Sequence, residues 1–313
     1  MAISPDAPAG ANRTYVLANL AVAASTLFWG TTWWPLRQLA AQGFEGPWVA
    51  VLTYAVPVLL ALPAALWRLR RLAKGGWLLV AIGLLIGGSG MFYADGVLMG
   101  EVVRVLLLFY LMPVWSVLFE RLFLGTPITL LRVGTIALGL VGLVVLLGFE
   151  DGLPLPRGAG DWLGLASGVA WALGVVLLRI QAPMPEFERC FAQFVGAVAV
   201  GLLLMPLVAL PLPPFPAGAL GDAWHLLLAV AVLWLVPTAA LSLWGAARLS
   251  PVRSSLLFML EVPTGVISAV LLANEPFGLK EMVGGALILG AAAADILLVP
   301  PAPEPARDGA GRG

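Results

Sequence analysis

Glu261 is the residue in this 313-residue chain whose type and position most need a chemical account. It lies well inside a long apolar run, immediately before Val262 and Pro263, where an ionised carboxylate costs several kcal/mol unless water or a partner reaches it. Three chemistries fit such a group. It can couple a proton, receive the protonated amine of a small molecule, or stay buried as the neutral acid or bonded to nearby backbone. Trp29, Trp171, Tyr93 and Tyr110 also sit within apolar runs. Lipid cannot satisfy an indole N–H or a phenol hydroxyl, so such side chains turn toward protein or a wet cavity. Their rings either pack as core or offer faces to the apolar body and amine of an amino acid or organic cation. Ser25 and Ser167 are candidate polar contacts beside the two tryptophans.

The elements that must position these groups are membrane helices. Hydrophobic residues make up 61% of the chain and charged residues 11%, with mean hydropathy +0.99. No soluble core of this size can hide that much apolar surface. Runs of about 20 residues, enough to cross the hydrocarbon layer, fall near 17–39, 47–67, 77–98, 102–124, 128–149, 161–181, 187–210, 223–246, 252–273 and 278–299. The predicted fold is therefore an all-α polytopic membrane protein of ten transmembrane helices. Residues 14–150 form a first five-helix repeat and 161–299 a second, joined by a Gly/Pro-rich linker at 151–160. Residues 1–13 and 300–313 read as disordered tails.

The halves repeat one another. Ser25, Trp29 and Arg37 return as Ser167, Trp171 and Arg179 at one constant offset. Val103-Arg104, Leu107, Phe109 and Leu111 return as Val252-Arg253, Leu256, Phe258 and Leu260 at a slightly longer one. Five helices per copy is an odd number, so the copies must be inverted, an architecture that builds a binding site at the midplane. Most of the 17 basic residues, among them Arg13, Arg68, Arg70, Arg71, Lys74, Arg121, Arg132, Arg179 and Arg189, fall on one side. That bias puts both termini in the cytoplasm. Pro113 and Pro263 follow the repeated Leu/Phe pattern, and each removes a backbone donor, giving a kink or hinge shared by both copies.

Other polar residues read more plainly. Asp95, Arg37, Arg104, Glu120, Arg121 and Asp295 lie near predicted helix ends, where snorkelling or loop salt bridges are expected to keep them solvated. Arg104 and Arg253 serve either as anion contacts or as interfacial anchors. Glycines in Gly83-xxx-Gly87, Gly164-xxx-Gly168, Gly284-Gly285 and Gly290 suit close helix packing. Net charge is zero with no dense basic cluster, which excludes a nucleic-acid partner. The lysines are Lys74 and Lys280, and neither completes a phosphate-binding GxxxxGK[ST] loop. His225 and Cys190 stand singly, so no metal site and no cofactor is expected.

Ten spans as five plus five, Trp29-Gly30 followed by Arg37, and the run Leu108-Phe109-Tyr110-Leu111-Met112-Pro113 resemble the drug/metabolite transporter superfamily in its EamA-like branch. The segments Trp29-Gly30-Thr31, Tyr110 to Pro113 and Ala170-Trp171-Ala172 are most similar to YddG-type amino-acid exporters. That resemblance implies a monomeric, multi-pass protein of the bacterial inner membrane. It would export aromatic and other neutral amino acids by alternating access, or on the same fold another small metabolite or an organic cation. It also implies that Trp29, Tyr93, Tyr110 and Trp171 line a central cavity. Met112 stands where those exporters often carry an aromatic residue.

Overall fold

The computed structural model describes residues 9–44, 46–148, 155–181, 183–209 and 211–300. Every regular element among them is helical. The long helices are α1 (Ala9–Thr31), α2 (Pro47–Trp67), α3 (Gly76–Met99), α4 (Val102–Leu124), α5 (Leu130–Leu147), α6 (Ala159–Ile180), α7 (Glu186–Val208), α8 (Ala217–Ala246), α9 (Pro251–Ala273) and α10 (Leu279–Leu298). α1 opens at Ala9, inside the stretch read as a tail. Residues 1–8, 301–313 and 151–154 of the expected linker lie outside the described residues.

Nine of these helices, α2 to α10, are long and apolar enough to cross a membrane. α1 is as long, at 23 residues, but buries Asn19, Ser25 and Thr26. Each of the three donates to a carbonyl of its own helix: Asn19 to Tyr15 at 2.8 Å, Ser25 to Val22 at 2.7 Å and Thr26 to Ala23 at 2.6 Å. These local bonds remove the cost of burying polar side chains. α1 can therefore be the polar member of the ten because α8 and α9 pack around it.

Packing follows the duplication. α1 packs on α8 and α9, and its counterpart α6 packs on α3 and α4. α2 meets α7, α4 meets α9 and α5 meets α10, each pair being the same helix in the two copies. Local irregularities repeat as well. A five-residue π-helical turn interrupts α3 at Gly83–Gly87 and α8 at Ala231–Leu235. α4 ends on Gly125 at φ 69° and α9 on Asn274 at φ 55°, the left-handed termini that Gly and Asn tolerate best.

Backbones touch where the sequence placed small residues. A Cβ on Gly142 of α5 would lie 2.8 Å from the carbonyl oxygen of Gly284, and one on Gly168 of α6 would lie 2.5 Å from that of Phe109. Gly83 and Gly87 meet the α7 backbone at Ala192 and Gln193 in the same way. Gly285 and Gly290 do not need to be glycine on this ground, since their nearest neighbours would be at 3.6 and 3.9 Å.

Three charged groups expected to be solvated are instead buried and paired across helices. Glu120 accepts from Arg132 at 2.7 Å, and both are buried. Asp295 accepts from Arg253 Nε at 2.6 Å, and the same guanidinium also donates to the carbonyls of Asp295 and Val299. Arg104 reaches Asp161 at 3.3 Å and Glu101 at 2.7 Å. Asp95 is likewise buried. Arg37 and Arg121 are exposed as expected, but the helix ends that carry Asp95, Arg104, Glu120 and Asp295 lie against other helices, so proximity to an end did not mean contact with water there. Arg104 and Arg253 are thus occupied by carboxylates of the protein itself.

Candidate functional site

α4 and α9 are each two helices in line. α4 runs Val102–Phe109, turns through Tyr110 and Leu111, and resumes at Met112–Leu124. α9 runs Pro251–Phe258, turns through Met259 and Leu260, and resumes at Glu261–Ala273. At both turns the hydrogen bonds tighten to the third residue back, as in Leu111 N to Leu108 O at 3.4 Å and Leu260 N to Leu257 O at 3.0 Å. Pro113 and Pro263 sit just beyond, where the missing donor would have bonded the carbonyls of Phe109 and Met259. The sequence thus breaks both helices at the level of their middle. There side chains on opposite sides of each break point into one space.

That space is a partly open cavity between α1, α2, α3, α4, α6, α7 and α9. Three equivalent pairs from the two copies line it: Trp29 with Trp171, Phe109 with Phe258, and Met112 with Glu261. The rings of Trp171 and Phe258 meet edge to face at 4.7 Å, and Tyr93 packs on Phe109 at 5.1 Å. Tyr54, Ser89, Gly90, Ile86 and Gln193 complete the wall. Glu261 is the charged member of this lining. Tyr110, Tyr54 and Tyr93 stand close enough to feel the charge of its carboxylate.

Of the residues singled out in the sequence, Trp29, Trp171, Tyr93 and Glu261 line the cavity. Tyr110 stands behind it, buried against Phe109 at 4.8 Å and beside Glu261. Ser25 does not reach it, because its hydroxyl is bonded to Val22 within α1. Ser167 also stands behind the wall. It donates to the carbonyl of Ser89 at 2.8 Å, and Ser89 donates to the carbonyl of Ser167 at 3.0 Å, so Ser167 fixes a lining residue. Trp29 Nε1 donates weakly to Ser242 at 3.4 Å. Trp171 Nε1 and Gln193 Oε1 are buried without a hydrogen-bond partner in the protein. Trp234, another mid-helix indole, is satisfied elsewhere by Thr31 at 3.2 Å.

Sequence reasoning passed over Phe109, Phe258, Tyr54, Ser89 and Gln193. The two phenylalanines were already visible as members of the repeated pattern. Gln193 carried a signal too, a lone amide in the apolar run of α7, where an unmet polar group is expensive. Nothing in the sequence distinguished Tyr54 from a core residue.

A bundle of two equivalent five-helix units with broken helices and a cavity at their meeting point is the architecture of a secondary transporter. The chain belongs to the EamA-like transporter family, whose profile matches it twice, over residues 16–148 and 158–294. No curated protein matches it. A crystal structure described only as that of a protein is similar in fold. It is 24% identical with a TM-score of 0.67, and the match covers 90% of this chain and 98% of the other.

Proposed function

We propose that this chain exports amino acids with aromatic or other neutral side chains from the cytoplasm of a bacterium by alternating access. The observation that carries this reading is the pairing of Trp29 and Trp171, one from each repeat, across a cavity whose charged lining residue is a carboxylate. Aromatic walls take an apolar side chain, and Glu261 takes the amine. The absence of Lys and Arg from that lining disfavours sugar nucleotides and phosphorylated metabolites as cargo. The resemblance to YddG-type exporters agrees with this cargo, with an inner-membrane site, with cytoplasmic termini and with a monomer. Pro113 and Pro263 are the hinges about which the halves of α4 and α9 reorient as the cavity changes side.

Counterflow in proteoliposomes against the twenty amino acids, with and without a pH gradient, tests the proposal. Saturable exchange of aromatic and neutral amino acids is expected. Trp29→Ala and Trp171→Ala should each raise the KM by about tenfold, the loss of one ring contact and its buried area. Normal transport by both variants, or no amino-acid exchange by the unaltered protein, overturns the assignment.

A further inference from the structure

Gln193 has no role in the reading above, yet it is the lining residue whose polar group is least accounted for. Its side chain is only 3% exposed, and its Oε1 has no partner in the protein. Its backbone is held against α3, where Gly87 leaves no room for a Cβ beside the Gln193 carbonyl. The amide therefore cannot easily withdraw from the wall. Burying an unpaired acceptor is expensive, and such a group is well matched to a ligand that brings the missing donor.

We infer that Gln193 and Glu261 together form an amine subsite, and that the cargo is recognised by its protonated amine and apolar body, with its carboxylate contributing little. Gln193 belongs to the second repeat on α7 and Glu261 to α9, and both line the one cavity. An ammonium carries three donors and no acceptor, so a carboxylate and an amide oxygen are complementary to it. A cargo carboxylate meets only neutral donors in this wall, such as the unpartnered Trp171 N–H. An ammonium on Glu261 pairs two full charges in a water-poor site, which adds Coulomb attraction to the hydrogen bond, whereas a cargo carboxylate here would have neutral donors alone. Blocking the amine should thus weaken binding far more than removing the carboxylate. The substrate class widens from amino acids to primary amines with an aromatic or branched body.

This inference rests on the export reading for its choice of cavity, so its test is direct binding, separate from transport. Equilibrium binding of radiolabelled 2-phenylethylamine to the full-length protein in detergent is measured, with phenylalanine, phenylalaninamide and N-acetylphenylalanine as competitors. Phenylalaninamide is expected to compete within about threefold of phenylalanine, and N-acetylphenylalanine at least about tenfold more weakly. Gln193→Leu should weaken 2-phenylethylamine binding by about tenfold, and Gln193→Glu, which restores an acceptor, should recover it. A Gln193→Glu variant that elutes as a single folded species yet binds no better than Gln193→Leu overturns the role of Gln193. Equal competition by N-acetylphenylalanine, or no binding of 2-phenylethylamine, overturns the subsite. Binding with these preferences but without counterflow supports the subsite and removes the export reading alone.

Discussion

α4 and α9 are the same helix in two copies, and they differ where it matters. Each has an arginine in its first turn, a phenylalanine before a central break and a proline after it. Each ends in a left-handed residue. Yet Met112 in α4 is matched by Glu261 in α9, and both line the cavity. Arg104 and Arg253 are likewise equivalent but find unrelated partners, Asp161 on α6 and Asp295 on α10. The duplication repeats what shapes the backbone, because breaks, caps and close contacts must be the same for both copies to pack on each other. It does not repeat the polar chemistry. Under the proposed function one cargo occupies the cavity at a time, so a single carboxylate suffices and a second would repel the first.

The arginines offer the largest test of this difference. Arg253 is buried, and Asp295, whose Oδ2 accepts from it, has no hydrogen-bond partner at Oδ1. Arg253→Met leaves that carboxylate without its cation and should cost about 3–5 kcal/mol. Arg104→Met should cost less, about 1–2 kcal/mol, because Asp161 keeps the backbone N–H groups of Arg157 at 2.9 Å and Gly158 at 3.3 Å. Thermal unfolding of both variants in one detergent checks the order. Equal losses would mean that the two arginines are as alike in energy as in position.

Cargo affinity comes next. Glu261→Met makes the two breaks alike in side chain, and removes the one charge from the lining. A charge-assisted hydrogen bond is worth about 1.5–3 kcal/mol, so the apparent affinity for an amine-bearing cargo should fall between about tenfold and a hundredfold. Unfolding temperature should hold or rise, since a half-buried charge is exchanged for an apolar group of similar size. Counterflow and unfolding measured together separate this from misfolding.

The comparison also explains how much could be read from the letters. Span positions followed from length and hydropathy, and the repeat followed from residues such as Trp29 and Trp171 that keep one offset. The breaks at Tyr110 and Met259 were legible because proline acts locally through its missing N–H. Ser25 and Ser167 were not separable, because both obey the repeat. One bonds its own helix while the other bonds Ser89 across a helix contact, and that choice depends on the distance to a neighbouring helix. Arg104, Glu120 and Asp295 were misread for a related reason. Depth along a helix can be counted in sequence, but burial by other helices cannot.

Met112→Leu is the smallest and most discriminating change. Leucine keeps the volume and apolarity of methionine, and such swaps in packed sites usually cost less than about 1.5 kcal/mol. Met112 is fully buried where the second half of α4 begins, so the structure should tolerate the loss of its flexible thioether with little rearrangement. If charge at this paired position sets recognition, Met112→Leu should leave amine affinity within about threefold of the unaltered protein, far above Glu261→Met. If shape sets it, the two variants should weaken binding alike, because both alter the same paired position, three residues after equivalent phenylalanines. Counterflow with one aromatic amine and one aliphatic amino acid decides between these outcomes. A loss confined to the aromatic cargo would assign Met112 to the ring-binding side of the cavity and leave the amine to Glu261.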